Sequence, residues 1–123
     1  MLETGKSFIQ DLTVQPKDTA AVYGSGKLEV FATPAMVALM ENTAVRCLER
    51  DLEKGSDTVG IEINVKHLKA SAVGAKVSCK ATVTEIEGRR IRFTIEAWDE
   101  KGPIGYAVHD RFLIDPVKFM AKL

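Results

Sequence analysis

Hydrophobic residues change their spacing once along this chain, and the change divides it in two. From Ala35 they recur three and four apart, and Ala35-Met36-Val37-Ala38-Leu39-Met40 leaves hardly a polar side to the first turns. That is the pattern of a helix wrapped by other elements. Thr33 offers an N-cap hydroxyl, Pro34 suits the first turn and Gly55 is a usual stop, so a helix is predicted over 34–54. At that length it spans about 30 Å. Ahead of it, Phe8, Ile9, Leu12 and Val14 predict a first strand, and Tyr23-Gly24-Ser25-Gly26 a turn or flexible loop.

After the helix the spacing becomes one in two. Ile61, Ile63, Val65 and His67 share one parity; Val77, Cys79, Ala81 and Val83 repeat the pattern. Glu87-Gly88-Arg89 turns into Ile91, Phe93, Ile95 and Ala97, and Glu100-Lys101-Gly102-Pro103 into Ile104–Ile114. One strand, one long buried helix and consecutive antiparallel strands make an α+β plan. A curved antiparallel sheet wraps one long central helix, in a single domain over 1–123. One helix cannot cover both faces of such a sheet. The last strand is apolar on both parities around Tyr106, Val108, Phe112, Leu113 and Ile114, so a second copy is expected to cover it, giving a homodimer.

Composition removes several classes of function. Lys plus Arg and Asp plus Glu each number 17, so no net field draws nucleic acid or an anionic membrane, and neither is expected as a partner. No apolar run approaches about 18 residues and no signal peptide is evident. Cys47 and Cys79 read as reduced core residues, which fits a cytoplasmic protein. His67 and His109, the two histidines, lie too far apart in sequence for a zinc spacing.

Against this background Glu41 stands out. Its helix neighbours three and four residues away are Val37, Ala38, Ala44 and Val45, which puts a carboxylate on an apolar surface. Desolvation would raise its pKa unless a cation or strong donors hold it charged, and such groups gather at functional sites. A solvated Glu at a groove edge fits the same pattern. His67 ends an inward-facing run, where a hydrogen-bonded core or rim histidine is the plain alternative. A carboxylate and an imidazole converging in a groove can deprotonate a water or share a proton in acyl transfer. Thr33 adds a hydroxyl, and the free amides after it could stabilise an oxyanion.

Geometry complicates this trio. Thr33 and Glu41 are separated by about 12 Å along a straight helix, so they cannot touch within it. Either residues 33–36 fold back as a loop, or Thr33 serves a site completed by the other subunit, at a dimer interface. His109 and Arg111 share a parity of the last strand and could bind a phosphate or decorate the sheet. Arg89 and Arg90 read as solvated, though a nucleotide phosphate could use them, and Trp98 as a packing residue.

These residues carry a resemblance to the fluoroacetyl-CoA thioesterase-like branch of the hotdog-fold thioesterases. It runs through Glu29-Val30-Phe31-Ala32-Thr33, Met36-Val37, Leu39-Met40-Glu41 and Val45-Arg46. It continues in His67, Ala70 and Gly74, in Glu87-Gly88-Arg89-Arg90, Ala97 and Asp99, and in Ile104-Gly105, His109 and Arg111. The resemblance implies a hotdog homodimer, with room for pairing into a dimer of dimers, that hydrolyses acyl-CoA without metal or cofactor. Coenzyme A enters only as part of the substrate. Thr33, Glu41 and His67 fall on the family's catalytic positions: Glu41 with His67 would activate water or form an acyl intermediate, while Thr33 orients them. Gly74, His109 and Arg111 are expected to bind substrate.

Two departures limit the resemblance. The selective family enzyme carries aromatic lid residues in a longer segment before this block; here Val22–Leu28 is short, with Tyr23 its single aromatic. Pro34 also stands where that enzyme has glycine. Fluoroacetyl selectivity is therefore not carried over, and a short- to medium-chain acyl preference is expected. A non-catalytic acyl-CoA-binding hotdog module is the alternative. A hydratase on this fold would want a compact Asp/His arrangement near the helix entrance, and His67 lies too far along the chain to show one.

Overall fold

The computed structural model describes residues 1–123. Five strands, β1 (Ser7–Thr13), β2 (Asp57–His67), β3 (Lys76–Glu87), β4 (Arg90–Asp99) and β5 (Gly102–Ile114), form one sheet in the order β1-β3-β4-β5-β2, and all neighbours are antiparallel. A short helix α1 (Ala20–Tyr23), the long helix α2 (Thr33–Leu48) and a C-terminal helix α3 (Pro116–Ala121) accompany it. No helix is long and apolar enough to cross a membrane.

The alternating runs go where their period sends them. Val77, Cys79, Ala81 and Val83 of β3 and Ile91, Phe93, Ile95 and Ala97 of β4 are buried in one core with Met36, Met40, Ala44 and Leu48 of α2. Burying each of the larger side chains stabilises the fold by about 1.5–3 kcal/mol. Both cysteines lie unpaired and buried. Tyr106, Val108 and Phe112 remain exposed on the opposite face of the sheet.

Three features differ from the reading of the sequence. The strands after the helix do not pair in sequence order: β2 sits at the sheet edge beside β5, and residues 68–75 carry the chain across to β3. The long helix ends at Leu48 rather than near Lys54. Just beyond the helix end, the buried carboxylate of Asp51 is held by Lys6 and the N-terminal ammonium, at 2.8 and 3.1 Å. Finally, β2 carries a bulge between Gly60 and Glu62, so Ile61 stands outside the parity of Ile63, Val65 and His67 and is 53% exposed.

Candidate active site

Thr33 begins α2 without capping it. Ala32 holds the N-cap position with no side-chain bond, and the Thr33 hydroxyl lies 2.8 Å from Nδ1 of His67 instead. One stretch of chain brings the two together. The Phe31 N–H donates to the carbonyl of Ser71 at 2.9 Å, and the Leu68 N–H to the carbonyl of Ile104 at 2.7 Å. The entrance to α2 and the end of β2 thus hang on the same 68–72 crossing. Asp99 fixes that crossing from below, accepting from Lys69 Nζ at 2.7 Å, Ser71 Oγ at 2.8 Å and the Lys101 N–H at 2.8 Å. These partners, Lys69 foremost, hold the Asp99 carboxyl down at about 2.

His67 is poised rather than satisfied. Its Nε2 is buried with no partner within the protomer, and burial pushes the imidazole below its usual pKa. The ring meets Phe31 edge to face, with centroids 6.5 Å apart. Thr33 and His67 line an open cavity of about 290 Å³ together with Phe31, Leu68 and Lys69.

Glu41 belongs to a different group. Residues 33–36 are helical, which removes the fold-back alternative, and Glu41 lies two turns further along α2. Its Oε2 is 3.7 Å from Arg111 Nη1 and 4.0 Å from His109 Nε2. Both residues are buried on the inner face, so they do not decorate the sheet. Arg111 donates from Nε to Thr58 Oγ1 at 2.9 Å and from Nη2 to the Thr58 carbonyl at 3.1 Å. Its Nη1 donates to His109 Nε2 at 3.2 Å. His109 can accept there because its Nδ1–H is given to the Glu62 carbonyl at 2.7 Å. Burial keeps His109 below its usual pKa, and the neighbouring Arg111 charge acts the same way. Glu41, its side chain 40% exposed, is the open end of this buried chain of bonds.

Two members of this group escaped the sequence reading. A Cβ on Gly60 would lie 2.8 Å from Glu41 Oε2 and 3.2 Å from Arg111 Nη1, so only glycine lets the carboxylate approach the strand. A glycine inside an alternating run signals such an approach and could have marked it. Thr58, an ordinary strand residue by type, gave no signal. Gly74 belongs to neither group: it takes φ +92° in the turn before β3, its N–H on the Val14 carbonyl at 2.8 Å. Arg90 is not solvated, because it pairs with Glu85, Glu87 and the buried Asp110.

The model of a family described as fluoroacetyl-CoA-specific thioesterase matches residues 14–117. The chain belongs to that family. The fluoroacetyl-CoA thioesterase of Streptantibioticus cattleyicolor is 35% identical over 128 residues, covering 99% of this chain and 92% of that one. A solved structure of the fluoroacetyl-CoA thioesterase FlK superposes with a TM-score of 0.93 at 35% identity, over 99% of this chain and 95% of that one. A thioesterase superfamily member from Thermus thermophilus gives 0.91 at 26% identity, over 98% and 90%. Membership makes this chain a thioester hydrolase of the hotdog fold. In this chain Thr33 with His67 and Glu41 with Arg111 form two groups at opposite ends of β2.

Proposed function

We propose that this protein hydrolyses acyl-CoA thioesters to free acid and CoA at a site shared by two subunits, using Thr33 and His67 of one and Glu41 of the other. The observation that carries this reading is the separation of the two groups within one protomer, each left incomplete: a buried Nε2 without a partner and a carboxylate open to its surroundings. Strand β2 is a sheet edge with unpaired backbone groups along 11 residues. Pairing antiparallel with its own copy about a two-fold axis would set the His67 end of each strand beside the Gly60 end of the other. Each Glu41 then meets the partner's Thr33–His67 pair.

The chemistry follows from the bonds within each group. The Thr33 hydroxyl donates to Nδ1, which leaves Nε2 carrying the hydrogen of a neutral imidazole, aimed at the thioester. Glu41, beside Arg111, accepts a proton from water as the oxygen attacks the acyl carbon. The C–S bond breaks, and the proton returns to the thiolate through His67. Water and thioester give acid and thiol with no further reactant, and the steps proposed use only these side chains. The entrance is open: α1 ends at Gly24, with Tyr23 about half exposed. This supports a short- to medium-chain acyl preference without fluoroacetyl selectivity. The two buried thiols support a cytoplasmic setting.

Release of CoA thiol from a panel of acyl-CoAs, from acetyl to long-chain and aromatic, tests the activity. Hydrolysis of one subset is expected; tight binding with no turnover would leave an acyl-CoA-binding module. Mixing Thr33→Ala with Glu41→Gln protein tests the sharing. Random re-pairing of equal amounts should restore about a quarter of wild-type activity, because half of the dimers hold one intact site of two. No recovery after subunit exchange would place all three residues in one protomer.

A further inference from the structure

Lys69 and Ala70 line two cavities at once. On one side lies the Thr33–His67 cavity, and on the other a second cavity of about 280 Å³ whose apolar lining is Ala70, Ala72 and Ala75. Residues 69–70 are thus a thin wall with open space on both faces and no bulky apolar side chain behind it. Backbone bonds hold its ends. The Leu68 and Lys69 N–H groups donate to the Ile104 carbonyl at 2.7 and 3.3 Å, and the Ser71 carbonyl accepts from the Phe31 N–H at 2.9 Å. Side chains add the remaining hold, and they converge on the buried carboxylate of Asp99. Its Oδ2 accepts from both Lys69 Nζ and Ser71 Oγ, while Oδ1 accepts from the Lys101 N–H in the turn between β4 and β5.

Each side-chain partner of Asp99 leads to one member of the Thr33–His67 pair. The backbone of Lys69 faces the His67 ring and favours its protonation against the effect of burial. The Ser71 carbonyl holds Phe31, which meets that ring edge to face and stands two residues before Thr33. We propose that Asp99 is a positioning residue for hydrolysis, an inference that rests on the acyl-CoA reading above. From behind the wall, its carboxylate sets the approach of the Thr33 hydroxyl to Nδ1 of His67 without touching the substrate. The role needs a carboxylate. Asparagine has the same size, but its amide N–H would face either Lys69 and Ser71 or the Lys101 N–H, donor against donor. The wall would then be free to move into the space on either side of it.

Steady-state kinetics on an acyl-CoA that the wild type turns over test this role. Asp99→Asn should lower kcat at least about tenfold while KM changes less than about twofold, because the reacting groups are misplaced and the substrate contacts are not. Lys69→Met cuts the same tether from its partly exposed end, and should show the same split even where Asp99→Asn fails to fold. The double variant should be little slower than either single one, since both remove one link. Lys69→Arg, which still donates to the carboxylate, should regain at least about half of the wild-type rate. An unchanged kcat in both single variants overturns the positioning role and leaves hydrolysis standing. So does a rise in KM alone in Lys69→Met, which would make Lys69 a substrate contact. A wild type with no turnover on any acyl-CoA would overturn the acyl-CoA reading, and this role with it.

Discussion

The Thr33 hydroxyl lies 2.8 Å from Nδ1 of His67, although its place in the sequence marks it as a helix cap. A cap bond would have tied the hydroxyl to its own helix. Bonded to the imidazole instead, it holds the ring, whose Nε2 stays buried without a partner within the protomer. Thr33→Val should therefore lower kcat about a hundredfold, within the range of a lost acid–base contribution. Stability in urea should move by no more than about 0.5 kcal/mol, because no cap is lost. Thr33→Ser should keep most of the rate.

Glu41→Gln keeps the size of the side chain and removes the base. Hydrolysis should fall at least about a hundredfold while the Kd for a non-hydrolysable acyl-CoA analogue changes little. Unchanged hydrolysis would take Glu41 out of the mechanism.

Gly60→Ala tests the approach of that carboxylate to β2. The new methyl would lie 2.8 Å from Oε2, so the carboxylate must leave its place beside Arg111. We expect kcat to fall at least about tenfold, with an unchanged circular dichroism spectrum. An alanine variant as fast as wild type would show that the position of Glu41 is not critical.

Acid should act on the rate through His67 and on stability through both histidines. His67 works as the neutral ring, and burial sets its pKa below the usual value of about 6.5. The rate should therefore hold at neutral pH and fall as pH drops through that lowered value. His109 is also depressed in the folded state. The unfolded chain binds its proton first as pH falls, so the stability from a neutral His109 is complete above about 6.5 and is lost as pH falls through its folded value. Unfolding midpoints across pH 7 to 4 should show that decline, and His109→Gln should reduce it to the share that His67 contributes.

The sequence made some of this legible and hid the rest for identifiable reasons. Helix and strand periods revealed α2 and the inward runs of β3 and β4, because burial on one face leaves a regular mark. Glu41 and His67 stood out as polar groups on apolar faces. Their separation did not, since which strands become neighbours depends on pairing that no local pattern encodes, and β2 passes over β3 to reach β5. His109 and Arg111 looked equally suited to either face. Only the register of β5 against β2, with Gly60 opposite Arg111, turns them inward beneath Glu41. The end of α2 at Leu48 is not marked by the glycine further on, and beyond it Asp51 joins Lys6 and the N-terminal ammonium, partners far away in sequence.

The bulge at Ile61 sets the grammar of the whole site. Thr58 and Gly60 are even-numbered, Ile63, Val65 and His67 odd-numbered, yet both sets pair with inward residues of β5 because one extra residue intervenes. The bulge can therefore absorb the loss of one residue from β2 near this point. Deleting Ile61 would leave Gly60 opposite Arg111 and Ile63 opposite His109 in an unbroken ladder, so both ends of the strand keep facing inward. Reading frames of this kind, counted in residues rather than nucleotides, predict that relatives one residue shorter at this point keep both inward sets on a regular strand.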